Sequence, residues 1–92
     1  MLAKLISDTA DDTSEIAIEV LIWLSGYPDR MKRFLEISGV QADEIRYQIS
    51  KPSFQKGLIA FVMNHEPDLV EFSSERGIPV DQIVRCHESR VA

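Results

Sequence analysis

The chain has 92 residues, 10 Lys and Arg against 15 Asp and Glu, 45% apolar residues and a single cysteine, Cys86. That is the size of one small domain, 1–92, which buries only about 60–65% of its unfolded surface; the ordinary apolar fraction excludes wholesale disorder. The net charge of −5 argues against a general nucleic-acid binder, since phosphate contacts need clustered cations, and a lone cysteine permits no intrachain disulfide and points to a reducing compartment.

Residues 1–11 read as a loose leader whose apolar stretch, ending at Ser7-Asp8, is too short for a signal-peptide core. No run approaches the ~20 apolar residues that span a bilayer, so the expected location is the cytoplasm. Asp12 followed by Glu15 resembles a capping box and predicts a first helix over 13–25. Its Ile16, Val20, Trp23 and Leu24 follow the spacing of a buried face, and Gly26 is the expected stop. A second helix, 28–38, opens on Pro28, tolerated in a first turn where no N–H partner is needed. It turns Met31, Phe34 and Leu35 inward, with Ile37 a further candidate, and ends at Gly39. A third helix, 42–50, carries Asp43 and Glu44 at its positive end, and Val40 and Ile45 are placed for a staple around a Gln41 cap.

After the Lys51-Pro52-Ser53 break, a fourth helix over 53–64 sets Phe54, Leu58, Phe61 and Val62 on one face. A fifth, 67–76, turns Leu69, Val70 and Phe72 inward and closes at Gly77. A sixth, 80–88, carries Ile83 and Val84 inward. No period-two alternation of useful length occurs, so the expected fold is all-α without strands. The segment 34–45 also lies over 72–83 without a gap: Phe34 on Phe72, Gly39 on Gly77, Asp43 on Asp81 and Ile45 on Ile83. The expected architecture is therefore one bundle of two related three-helix units, 14–50 and 53–88, each a helix, a Pro-started helix, a Gly stop and a helix.

The stretch from Glu15 through Trp23 and Leu24, then Pro28-Asp29-Arg30-Met31-Lys32-Arg33-Phe34-Leu35-Glu36-Ile37-Ser38-Gly39, is similar to a family of short uncharacterised alphaproteobacterial proteins catalogued as a domain of unknown function. The resemblance continues through Ala42-Asp43-Glu44-Ile45-Arg46, Pro52-Ser53-Phe54 and Phe72 to Gly77-Ile78-Pro79, covering about 14–86. Lys51 before Pro52 and Ser73-Ser74 depart from its pattern. The resemblance implies an all-α domain and brings no activity, cofactor or catalytic residue.

The soft and imidazole ligands are His65, Cys86 and His87, in no standard zinc spacing. Cys86 and His87, adjacent on a helix, point about 100° apart, so His87 is badly placed as a base for the thiol. Glu15/Glu19 and Glu71/Glu75 read as solvated helix faces, and Gly57 as a point of close helix approach. No catalytic, metal or cofactor residue is assigned, and the chain is not read as an enzyme. Gly39-Val40-Gln41 with Ile45, and Gly77 with Ile83, fit the turn of a helix-turn-helix. Both following helices lead with acids, however, which are unfavourable near phosphate, and Arg30, Lys32 and Arg33 read as a solvated face. What remains is excess apolar surface. The first and fourth helices are apolar nearly all round, so they form a middle layer or leave an edge for a partner. The candidate interaction residues are Ile18, Ile22, Trp23, Ile59 and Met63, with Trp23 as anchor. The expected role is a non-enzymatic cytoplasmic interaction or adaptor domain binding a protein partner or a second copy, with no membrane; the runner-up is a DNA-associated regulator.

Overall fold

The computed structural model describes residues 8–88, with side chains from Thr13 onward. Among the described residues six α-helices follow one another: α1 (Asp8–Ser25), α2 (Pro28–Ser38), α3 (Ile45–Gln48), α4 (Pro52–Met63), α5 (Glu66–Arg76) and α6 (Val80–Glu88). A 3-10 turn, Ala42–Glu44, leads into α3. No strand occurs among the described residues.

The punctuation follows local chemistry. Pro28, Pro52 and Pro67 sit in the first turns of α2, α4 and α5, where a missing N–H costs nothing. Gly39 and Gly77 close α2 and α5 in the left-handed region, at φ 76° and 67°. Their N–H groups donate to Leu35 O and Ser73 O, satisfying carbonyls that the helix ends would otherwise orphan. The Ser73 hydroxyl donates to Ile78 O at 2.6 Å, fastening the chain just beyond α5. Gln41 caps the third helical segment as expected, and Glu44 completes a capping box by accepting from the Gln41 N–H at 3.0 Å.

Two local expectations are corrected, and the Gly26 stop holds by another geometry. Helix α1 is already formed at Asp8, so Asp12 and Glu15 lie inside it and do not mark its start. The part of the leader that remains, 1–7, lies outside the described residues. Gly26 follows α1 without a positive φ; the helix instead tightens, with Gly26 N–H donating to Trp23 O and Tyr27 N–H to Leu24 O. Gly57 is exposed within α4, and a methyl group added there would meet no atom within 4 Å, so close helix approach does not explain it.

Helix α4 is the centre. It packs on α1 most extensively, and on α6, α5 and α2, which is why it can be apolar on nearly every side. Phe54, Leu58, Ile59, Phe61 and Val62 of α4 are all buried, together with Val20 and Leu24 of α1, Phe34 of α2, Phe72 of α5 and Ile83 of α6. Phe34 meets the rings of Phe54 and Phe61 edge-on, at 5.6 and 5.5 Å between centroids. Each such side chain contributes about 1.5–3 kcal/mol of burial, most of it offset by conformational entropy. Phe34 and Phe72 occupy matching places one turn before a left-handed glycine, but α3 is a four-residue helix and α6 has nine. Ile37 and Val70, expected inward, are exposed, and Val84 is half-buried.

Candidate functional site

One carboxylate is drawn into the interior. Asp68, in the first turn of α5, is 2% exposed. Arg33 Nη2 lies 2.7 Å from its Oδ2, Arg30 Nε 3.5 Å from its Oδ1, and His65 Nδ1 3.0 Å from Oδ2. The positive end of α5 adds to the same attraction. Arg30 also reaches Glu71 Oε1 with Nη2, at 2.8 Å. Its guanidinium lies over the rings of Tyr27 and Trp23, at 4.5 and 5.1 Å, and its Nη1 is buried without a hydrogen-bond partner. Contact with the electron-rich ring faces compensates part of that desolvation. The cluster ties α2 to α5 through long side chains.

A second carboxylate extends the network. Trp23 Nε1–H donates to Glu75 Oε1 at 3.0 Å, and the Tyr27 hydroxyl reaches both oxygens of Glu75 at 2.7 Å. The Tyr27 hydrogen bond, helped by that from Trp23, holds the Glu75 carboxyl below its usual range against partial desolvation. The same bond, with desolvation and the charge of Glu75, pushes the Tyr27 phenol up. Arg76 meets Glu19 at 2.7 Å. Glu19, Glu71 and Glu75, expected to be merely solvated, thus each hold a partner. Apart from His65 and Asp68, three positions apart, no local signal announces these pairs: Arg33–Asp68, Trp23–Glu75 and Arg76–Glu19 are separated by 35, 52 and 57 positions. Among the titratable side chains weighed earlier, His65 faces Asp68, Cys86 is buried in α6 and His87 is exposed. No group of three or more potential metal-ligating side chains occurs among the described residues.

The five candidate interaction residues divide. Ile18 and Ile22, one turn apart on α1, are 42% and 47% exposed. Trp23 and Ile59 are 3% and 1% exposed, so neither offers a surface to a partner. Trp23 anchors the interior instead, edge-on to Phe72 with 5.6 Å between centroids. Met63 is half-buried against the core. Sequence reasoning saw that α1 was apolar all round but could not tell which side α4 would cover.

Ile18 borders a small depression with Glu15, Glu19, Ile78 and Gln82. Leu21 of α1 lines a separate open depression of about 700 Å³ whose other walls include Met31, Ile45, Tyr47 and Ile49. Leu35 and Val40 line its continuation over α2, about 640 Å³, and the two share Ser25, Met31 and Ala42. The short α3 leaves this flank thinly covered. No helix among the described residues is long and apolar enough to cross a membrane.

A family model described as "Protein of unknown function (DUF3572)" matches residues 10–89. No curated protein and no solved structure matches the chain.

Proposed function

Since this chain belongs to the DUF3572 family of proteins of unknown function, its role has to be read from its own surface, and we propose a non-enzymatic protein-interaction module. The observation that carries this reading is the pair Ile18 and Ile22, exposed one turn apart on α1; α1 also lends Leu21 to an apolar depression lined by Met31, Ile45 and Ile49. Apolar side chains arranged this way gain burial when a partner's apolar face is laid on them. The partner is a protein, a second copy of the chain included. The polar cluster supports a structural role and not acid–base chemistry, because Asp68, Glu71 and Glu75 are each engaged by partners within the fold. The lone buried Cys86 suits a reducing bacterial cytoplasm.

The alternative, a DNA-associated regulator, has less behind it. Arg30 and Arg33, the best cations for phosphate, are committed to Asp68. The third helical segment has one turn of α-helix and is led by Asp43 and Glu44.

Site-specific photo-crosslinking tests the interaction reading. A photoreactive residue at position 22 in the full chain, expressed in its native cells, should give a discrete protein adduct. The same residue at exposed position 56 serves as control. No adduct at 22, or equal labelling at both positions, would overturn the proposal. Light scattering then identifies a second copy as the partner, and salt-dependent binding of duplex DNA would favour the regulator.

A further inference from the structure

The segment 40–50 is the most loosely joined part of the fold. None of the residues from Ala42 to Gln48 is buried, whereas every other helix carries at least one buried side chain. Its 3-10 turn and α3 pack on each other and on no other helix to a comparable extent. Toward the body it sets three half-buried apolar side chains, Val40, Ile45 and Ile49. Two open depressions, of about 640 and 700 Å³, are walled on one side by this segment and on the other by α1 and α2.

The hydrogen bonds of the segment are nearly all its own. Glu44 N–H donates to Gln41 O and Ile49 N–H to Ile45 O, each at 2.9 Å, and Lys51 N–H closes on Gln48 O at 2.8 Å. Among the described residues a single hydrogen bond ties 41–50 to another helix: Gln55 of α4 donates from Nε2 to Ile49 O at 2.8 Å. The same nitrogen lies 3.4 Å from Ser14 Oγ of α1, so one side chain joins three elements. Regions with few buried apolar contacts open at a fraction of the global free energy. Releasing this one exposes three half-buried side chains and breaks one bond to α4, while the Phe34, Phe54 and Phe61 rings keep their contacts. Once detached, a single helical turn does not persist on its own, so opening and local melting coincide.

We propose that residues 40–50 form a latched flap, which opens from the α1–α2 flank without unfolding the core and has Gln55 as its latch. Open, the chain presents Leu21, Met31, Ile45 and Ile49, all half-buried when the flap is closed. The exposure of apolar surface on this flank is thereby set by a local equilibrium. The flap does not depend on Ile18 and Ile22 receiving a partner.

Native-state hydrogen exchange of the full chain at rising urea, corrected for intrinsic rates and read residue by residue, tests it. The Glu44, Ile49 and Lys51 amides should share one opening constant. That constant should be at least about tenfold larger than the one for Leu58 and Val62 in α4, and nearly independent of urea. Gln55→Ala removes the latch and should raise it about fivefold. Ile83→Val loosens the core from α6, outside the flap. It should raise the Leu58 and Val62 constant about fivefold and leave that of the flap unchanged. Flap amides that exchange no faster than Leu58 and Val62, or that follow Ile83→Val as those do, overturn the proposal. So does Gln55→Ala without effect on Ile49 and Lys51; should that variant not fold, the wild-type rates and Ile83→Val decide.

Discussion

Arg33 and Asp68 meet at 2.7 Å although 35 positions separate them, and their contact fastens α2 to the first turn of α5. Arg30 and His65 close on the same carboxylate. Replacing Asp68 by Asn keeps the shape but removes the charge that balances two guanidinium groups. Breaking a fully buried pair costs about 3–5 kcal/mol. Because Arg30 and Arg33 are 26% and 45% exposed, water recovers part of their solvation, and Asp68→Asn should cost about 1–3 kcal/mol. Urea unfolding measures it; a loss below about 0.5 kcal/mol would show that the cluster does not hold α2 in place.

The Tyr27–Glu75 contact predicts a pH dependence with two limbs. Glu75 has its carboxyl lowered in the folded state, so its contribution is present above the unfolded carboxylate value and fades as pH falls through the folded one. Tyr27 has its phenol raised, so its contribution is present below the unfolded phenol value and fades as pH rises through the folded one. Tyr27→Phe should flatten both limbs of stability against pH. Wild-type and variant curves that run parallel through both limbs would contradict the assignment.

The two kinds of glycine should respond oppositely to alanine. Gly57→Ala enters a helix interior with open space beside it and should stabilise the fold by up to about 1 kcal/mol. Gly39→Ala must hold a left-handed conformation at φ 76° and should cost about 1 kcal/mol. Chemical denaturation of the two variants side by side gives the comparison; the same sign for both would be inconsistent with the backbone described here.

Helices α1 and α4 look alike in composition, but their outer isoleucines have different fates. Ile59→Ala removes a side chain from the core and should cost about 2–5 kcal/mol. Ile22→Ala, on the half-exposed flank, should stay within about 0.5 kcal/mol of the wild type. Ile59→Asp should not fold, while Ile22→Asp should fold and lose association with its partner. Circular dichroism and gel filtration separate these outcomes.

The termini of the helices were legible because they depend on short-range geometry. A proline in a first turn, a glycine that can take positive φ, and an apolar residue every three or four positions act within a few residues of themselves, and Gly39, Gly77, Pro28, Pro52 and Pro67 all stand where such rules place them. The start of α1 was misjudged because Asp12 and Glu15 satisfy a capping pattern that the helix, already formed from Asp8, does not use. Gly57 was misjudged because a helix-interior glycine carries no sign of what stands opposite it.

By itself, then, the sequence determined an all-α fold, the six helices of the described residues and many of the residues that turn inward, though not Ile37 or Val70, since periodicity and capping are properties of neighbouring residues. Only the tertiary structure decided that Asp68 would be buried among Arg30, Arg33 and His65, that Trp23 and Ile59 would lie within, and that Ile18 and Ile22 would lie without. Those outcomes depend on which helix crosses which and at what angle, and a periodic apolar pattern specifies a face without naming its neighbour.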